Sequence, residues 1–551
     1  MSSANGRQDL SALGVQDLSA LGIQALVDPG KTPTDEQVRV IEAPRRPLLV
    51  VAGAGSGKTE TMSMRVLWLV ANHEDIAPSS VLGLTFTRKA AGELGDRLRQ
   101  RLALLARRGP SLRERLDEDP VSLTYNSFAE RIVAEHGMRI GIDPDFTMLT
   151  EAGAVDLMTQ IVEGWPTDLD EDLSPSAAVG HCLHLAGEVG EHGYTVEEAR
   201  DALEGFGRDL EQIGATNDTA RKTLRANARR LAYLGPVEEF QRRKREGGLL
   251  DFSDQLVLAT RIVCGAPAVR AQVRDEFQAV LLDEFQDTSV IQMELLSLLF
   301  HDHAVTAVGD PNQAIYGWRG ASASSLERFL DRFQDGPAQP GQTLTLSTAW
   351  RNDRNILRAA NRDAANRVAA PLREHSRAAK SPVLRARPGA GEGRVDVAYT
   401  QDYRSALGAV VDFVSAHRAR GTREGKRPTT AVLCRRRSDF PYVDMALREA
   451  GVPTQIVGLG GLLDQPSVQD ARAALVLADD VEASPWLARL LAGIDLGAAD
   501  LVALGDWARH LAREEGRDPH RAVLLDAVDN PPEPGWSASG GARGRPAISG
   551  E

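Results

Sequence analysis

Short apolar runs without alternation, each followed by a stretch of helical period, set the plan of the first half of the chain. Pro47–Val51 reads as a strand buried on both faces, and a Gly-rich turn leads from it into helical Thr59–Ala71. Val81–Phe86 opens in the same way onto Lys89–Leu105, and strands return at Ala279–Leu282 and Ala304–Val308. This alternation predicts an α/β fold with a doubly wound parallel sheet. Upstream, Thr34 is placed to cap a helix that carries Asp35, Glu36 and Gln37 in its first turn. Between residues 137 and 247 the strand signals fade and helical patterns take over, which marks an insertion in the first α/β domain. A second α/β unit is expected from about Ser381, with strands at Val395–Tyr399 and Thr430–Cys434 around a helix reaching Ala419. Pro485–Leu525 is helical again.

The two ends read differently. Gln8–Gly14 recurs as Gln16–Gly22, and two copies are too few for a solenoid, so residues 1–31 are expected to be a flexible leader, either a short amphipathic stretch or a loosely ordered one. Residues 531–551 are rich in Gly, Pro, Ser and Ala and are expected to form a disordered tail, since such a composition buries too little surface to offset ordering entropy.

Composition narrows the class. With 551 residues, 42% hydrophobic and 26% charged, the chain has the make-up of a multidomain globular protein. No apolar run reaches the 18 or so residues that cross a bilayer, so no membrane association is expected. Three widely spaced cysteines, Cys182, Cys264 and Cys434, give no disulfide framework and point to the cytoplasm. A net charge of −13 argues against non-specific coating of nucleic acid but leaves room for a local basic groove. Arg221, Arg225 and Arg229 share a helix face, which fits either phosphate contact or a solvated surface.

Three strings carry chemistry. Ala52–Thr59, between a predicted strand and a predicted helix, has the context of a phosphate-binding loop. Gly53, Gly55 and Gly57 let backbone N–H groups face phosphates, Lys58 adds a point charge, and Thr59 is a Mg²⁺ ligand, although Ala52 stands where the pattern has its first Gly. Leu281–Asp287 is an apolar strand ending in acids, where Asp283 would hold the metal and Glu284 would activate water. In Val308–Gly320, Gln313 is placed to reach a γ-phosphate. Tyr316 and Trp318, beside Arg319, form either core filler or a platform for unpaired bases.

In this order the strings resemble the superfamily-one DNA helicases of the UvrD/PcrA/Rep type, over roughly residues 32–480. The resemblance implies a RecA-like sheet from residues 32–136 and 248–370, a helical insertion at 137–247, an incomplete second RecA-like domain at 381–482 and the start of a second helical insertion at 483–530. It also implies ATP with Mg²⁺, Gln37 as adenine reader, Trp350 stacked on adenine and Arg351 reaching the γ-phosphate. Phe86 and Arg88, within Leu84–Ala91, would contact single-stranded DNA, as would Asn126, which stands where relatives usually have His. Asp251–Asp254 matches the family's acidic box.

The implied activity is an ATP-dependent, 3′-to-5′ helicase or translocase in repair or recombination, acting on single strands and 3′-tailed duplexes. Details of Gly57–Met62 look similar to AdnAB-type actinobacterial subunits, which would add a second helicase or nuclease subunit as partner; Glu60 replaces an Arg that helps to sandwich adenine in other relatives. No counterpart of the family's fifth and sixth motifs follows residue 480. A truncated chain that binds ATP·Mg²⁺ but hydrolyses and unwinds poorly is therefore expected, and the alternative is a non-catalytic ATP- and DNA-binding subunit.

Overall fold

The computed structural model describes residues 18–532, apart from 109–115, 144–145, 168, 170–172, 215–216, 318–324, 335–340, 368–381, 424, 426–427, 458–465, 495 and 520–521. The chain divides into two compact units, Met1–Val395 and Asp396–Glu551.

The first unit is built on strands β1 (Leu48–Ala52), β2 (Val81–Thr85) and β3 (Val121–Thr124), the short β4 (Thr147–Met148) and β5 (Leu249–Leu250), then β6 (Ala279–Leu282), β7 (Ala304–Gly309), β8 (Gln342–Leu346), β9 (Thr348–Ala349) and β10 (Arg385–Ala386). Six of them form one sheet in the order β3-β2-β6-β7-β1-β8, and every pairing in it is parallel. Alternate residues of β1 serve opposite layers: Leu49 and Val51 join Phe128, Ile132 and Phe300, whereas Leu48 and Val50 join Met62, Val66 and Leu98. Burial on both faces is the reason the strand shows no polar alternation. Because the strands run the same way, the segments after β1, β2, β6, β7 and β8 all leave from one edge, where open α/β sheets bind their ligands.

The insertion is bracketed by the β4–β5 ladder, Thr147 beside Leu249 and Met148 beside Leu250. It has its own core, including Met158, Cys182, Tyr233, Leu234 and Phe240. Its longest helix, Asp218–Glu246, keeps Arg221, Arg225 and Arg229 exposed. Lys244 departs from the basic stretch around it. It is turned inward, 4% exposed, over the Phe240 ring and bonded to Asp251 and Asp254, whose capping box starts the next helix.

Three sequence expectations need correction. The leader is not flexible throughout: Ala20–Val27 is a helix, capped by the Ser19 side chain at Gly22 N, with Ala20 and Ile23 fully buried. The Asn72 side chain accepts from Leu18 N at 2.6 Å and donates to Leu18 O at 2.9 Å, pinning its start; residues 1–17 lie outside the described residues. The boundary expected near Ser381 falls at Val395. Residues 382–395 stay with the first unit because β10 pairs with β9, Arg385 N donates to Ser347 O, and Arg354 N and Asn355 N donate to Gly391 O and Glu392 O.

The third correction concerns the second unit. Helices form at Tyr403–Arg423, Phe440–Glu449, Pro466–Asp479, Ser484–Ala492, Ala498–Glu514 and Leu524–Asp529, but its described residues contain no ladder. The runs expected as strands form no ladder among the described residues, and Val397 is 90% and Leu433 93% exposed. A strand gains its stability from pairing with a neighbour, and these runs pair in no ladder among the described residues. Residues 533–551 of the expected tail lie outside the described residues. Among the described residues no single helix is long and apolar enough to cross a membrane.

Candidate functional site

The turn after β1 is held open by glycines. Gly55 and Gly57 have φ of +73° and +82°, and a Cβ at Gly55 would lie 2.9 Å from Arg351 Cβ. A Cβ at Gly57 would meet Gln37 Nε2 at 3.1 Å and Trp350 Cδ1 at 3.6 Å. At Gly53 a Cβ would collide with Leu384. Trp350 N donates to Gly55 O at 2.8 Å, so the Trp350–Arg351 corner leans directly on the loop, with both side chains exposed. Lys58 and Thr59 begin the helix Lys58–Asn72, whose free N–H groups favour anions. Within the loop, the buried Ser56 hydroxyl has no protein partner.

The acidic end of β6 faces that loop. Asp283 N donates to Leu84 O at 2.9 Å and Tyr125 OH donates to Asp283 O at 3.0 Å, which fixes the strand end against β2 and the helix Tyr125–His136. Lys58 Nζ makes an ion pair with Glu284 Oε2 at 2.7 Å. Glu284 has φ of +49°, the one positive value outside glycine among the described residues. A left-handed conformation at a non-glycine residue costs about 1–3 kcal/mol, and such outliers cluster at functional sites. Burial and then the neighbouring Glu284 carboxylate push the Asp283 carboxyl up to about 6, against the pull of Lys58. A buried carboxylate and the Thr59 hydroxyl are hard oxygen donors, the set suited to Mg²⁺ bridging protein and phosphate.

The other sequence-predicted residues are distributed around this pair. Gln37 completes a capping box, accepting from Thr34 N at 3.0 Å and donating to Thr61 Oγ1 at 3.2 Å; it lies beside the loop, but its amide is engaged within the protein. Glu60 turns to the helix Arg88–Arg108, where Arg101 Nη2 reaches it at 2.6 Å. Gln313 Nε2 donates to Asp310 Oδ2 at 2.6 Å. Phe86 and Tyr316 stack on each other with centroids 4.7 Å apart and planes at 26°. Arg88 is exposed, and Asn126 Oδ1 accepts from Gln292 Nε2 at 3.3 Å. Trp318 and Arg319 lie outside the described residues.

Three residues have tasks that the sequence pattern leaves unassigned: Gln286, Asp287 and Arg65. Gln286, buried, donates to Glu284 Oε2 at 2.9 Å and Asp287 Oδ2 at 3.0 Å and accepts from Asp310 N at 3.0 Å. Polar residues at the end of an all-apolar strand were the available signal. This amide leaves no room at Gly309, where a Cβ would stand 2.8 Å from Gln286 Oε1 and 2.9 Å from Leu326 Cδ2. Gly309→Ala should therefore cost about 1–3 kcal/mol in urea unfolding, the usual range for overpacking. An unchanged midpoint would count against the tight packing of this amide.

Comparison with known proteins gives the relatives. The chain is 31% identical to DNA helicase II of Escherichia coli over 329 residues, 59% of this chain and 39% of that protein. It is 26% identical to DNA helicase II of Haemophilus influenzae over 497 residues, 90% of this chain and 60% of that protein. With ATP-dependent DNA helicase UvrD2 of Mycobacterium bovis it shares 29% over 511 residues, 90% of this chain and 64% of that protein. The chain thus spans less than two thirds of the length of each of these curated relatives. Residues 33–334, more than half of the chain and the whole of the loop, the acidic edge and the Phe86–Tyr316 stack, match the UvrD/REP helicase N-terminal domain, and the chain belongs to this family of UvrD/PcrA/Rep-type superfamily-one helicases.

Proposed function

We propose that this chain is a cytoplasmic ATP-dependent DNA motor, a helicase or translocase moving 3′-to-5′ on single strands and opening 3′-tailed duplexes in repair or recombination. The observation that carries this reading is the Lys58–Glu284 ion pair at the same sheet edge as the Phe86–Tyr316 stack. On this reading the N–H groups of Gly53–Thr59 and Lys58 bind the ATP phosphates. Glu284 takes the proton of the attacking water, Gln313 and Arg351 face the γ-phosphate, and Trp350 covers the base. Mg²⁺, held by Thr59 and Asp283, would neutralise charge on the phosphates. Gln37 would read adenine by opening its present amide contacts. Phe86 and Tyr316, with Arg88, Asn126, Trp318 and Arg319, would line the single-strand path.

The test is phosphate release with and without oligo(dT), beside Lys58→Ala. Stimulation in the parent and its loss in the variant support the motor; no release under any condition refutes it. Phe86→Ala should weaken oligo(dT) binding by fivefold to a hundredfold in fluorescence anisotropy, since a base on an aromatic ring is worth ~1–3 kcal/mol. Parent-like affinity would remove the ring pair from the DNA path.

A second reading is favoured by one observation, the absence of a ladder among the described residues of the second unit. Without a second RecA-like sheet the chain would bind nucleotide and DNA but not turn over, and a partner subunit would supply the motor. Single-turnover unwinding of a 3′-tailed duplex by the chain alone separates the two readings.

A further inference from the structure

Between the Lys58–Glu284 pair and the Phe86–Tyr316 stack runs one unbroken series of hydrogen bonds through two buried residues. The Gln286 amide spends its N–H donors on two carboxylates, Glu284 Oε2 at 2.9 Å and Asp287 Oδ2 at 3.0 Å. The other oxygen of Asp287 accepts at 3.3 Å from the backbone N of Ile315, the residue directly before Tyr316. Tyr316 in turn carries the ring that lies on Phe86. On its oxygen side Gln286 accepts from Asp310 N, and Asp310 holds Gln313.

An amide is planar and its two N–H bonds keep a fixed angle. Glu284 therefore cannot shift without turning Gln286 or breaking its bond, and turning Gln286 displaces Asp287 and the backbone that it holds. Gln286 and Asp287 are buried, so a broken bond is not replaced by one to water. The cheaper response is for the series to move together. We propose that Gln286 and Asp287 are positioning residues that couple the state of the nucleotide site to the Phe86–Tyr316 ring pair. The proposal rests on the motor reading above and adds the residues through which its two sites communicate.

The experiment measures coupling rather than activity. The dissociation constant of labelled oligo(dT) is determined by anisotropy with and without the slowly hydrolysed analogue AMP-PNP and Mg²⁺, for the full chain and for Asp287→Asn and Gln286→Met. The nucleotide affinity is measured in parallel with mant-ATP. In the parent the nucleotide should change oligo(dT) affinity about fivefold or more, the lower end of ordinary coupling between sites. In both variants the ratio should fall to within about twofold of one, while each ligand alone binds within about threefold of the parent. A purely structural role would lower both affinities and leave their ratio unchanged.

Asp287→Asn keeps the side-chain shape and carries the test if Gln286→Met unfolds. Variants that bind both ligands and keep the parent's ratio overturn the proposal while leaving the motor reading standing, as does a parent whose ratio is already one. A parent that binds neither oligo(dT) nor mant-ATP overturns the motor reading and this proposal together.

Discussion

Glu284→Gln should lower ATP turnover by about 10²–10⁴-fold, the usual contribution of a positioned general base, while leaving mant-ATP binding at least as tight as in the parent. Both halves of this expectation come from the geometry. Gln has the volume of Glu and its amide oxygen can still accept from Gln286 Nε2, now at 2.9 Å from Glu284 Oε2, so the strand end keeps its support. A neutral amide, however, has no lone pair basic enough to take a proton from water. The same change removes the 2.7 Å ion pair that holds Lys58. A phosphate no longer competes with Glu284 for that ammonium, so nucleotide affinity has no reason to fall. Phosphate release under single-turnover conditions, beside mant-ATP titration, checks both. Parent-like turnover would remove Glu284 as the base, and a collapse of nucleotide binding would show that its role is to hold the loop.

The parts of this site that were legible in the sequence are those fixed by local geometry. A strand buried on both faces, glycines at positive φ and a lysine at a helix start each leave a pattern at short spacing. Pro47–Thr59 therefore announced its strand, turn and helix, and β1, Gly55, Gly57 and Lys58 are where that pattern put them. Residue roles that depend on distant partners were not legible. Nothing in Leu281–Asp287 reveals that Glu284 adopts a left-handed backbone, or that Gln286 spans three acidic residues on two strand ends.

Strand pairing is the extreme case. The run Thr430–Cys434 has the apolar character of a buried strand, yet it joins no ladder among the described residues and Leu433 stands exposed. The leader shows the opposite error. Its two-copy repeat is too short for a solenoid, yet the second copy ends in a helix whose Ala20 and Ile23 pack on a core made by other segments.

Arg65→Met should destabilise the first unit by about 2 kcal/mol or more. Arg65 is fully buried on the helix that starts at Lys58, yet its hydrogen-bond partners are carbonyls and a hydroxyl, with no carboxylate among them. Its Nε donates to Thr306 Oγ1 of β7 at 2.8 Å. Nη1 serves the carbonyls of Val40, Ile41 and Ala43 at 3.0, 3.2 and 2.8 Å, and Nη2 that of Pro44 at 3.1 Å. Two of these carbonyls close the helix Asp35–Ile41, whose negative dipole end offsets the positive charge. Burial draws the guanidinium down to about 10, which leaves it charged at neutral pH.

Methionine fills similar space and satisfies none of these acceptors. An orphaned buried carbonyl costs about 1–3 kcal/mol. Val40 O keeps Ala43 N and Pro44 O keeps Arg46 N, but Ile41 O and Ala43 O lose their donors, which outweighs the relief of discharging a buried cation. Lysine fares little better, because one ammonium cannot follow the planar fork that spans Thr306 and the chain from Val40 to Pro44. Since two units need not unfold together, the measurement is the first transition in urea, followed by hydrogen exchange of the amides in Asp35–Glu42 and Lys58–Asn72. Those amides should lose protection first in the variant. A shift under about 1 kcal/mol would mean that water reaches these carbonyls, and that the segment carrying Gln37 is held to the loop after β1 by something other than this arginine.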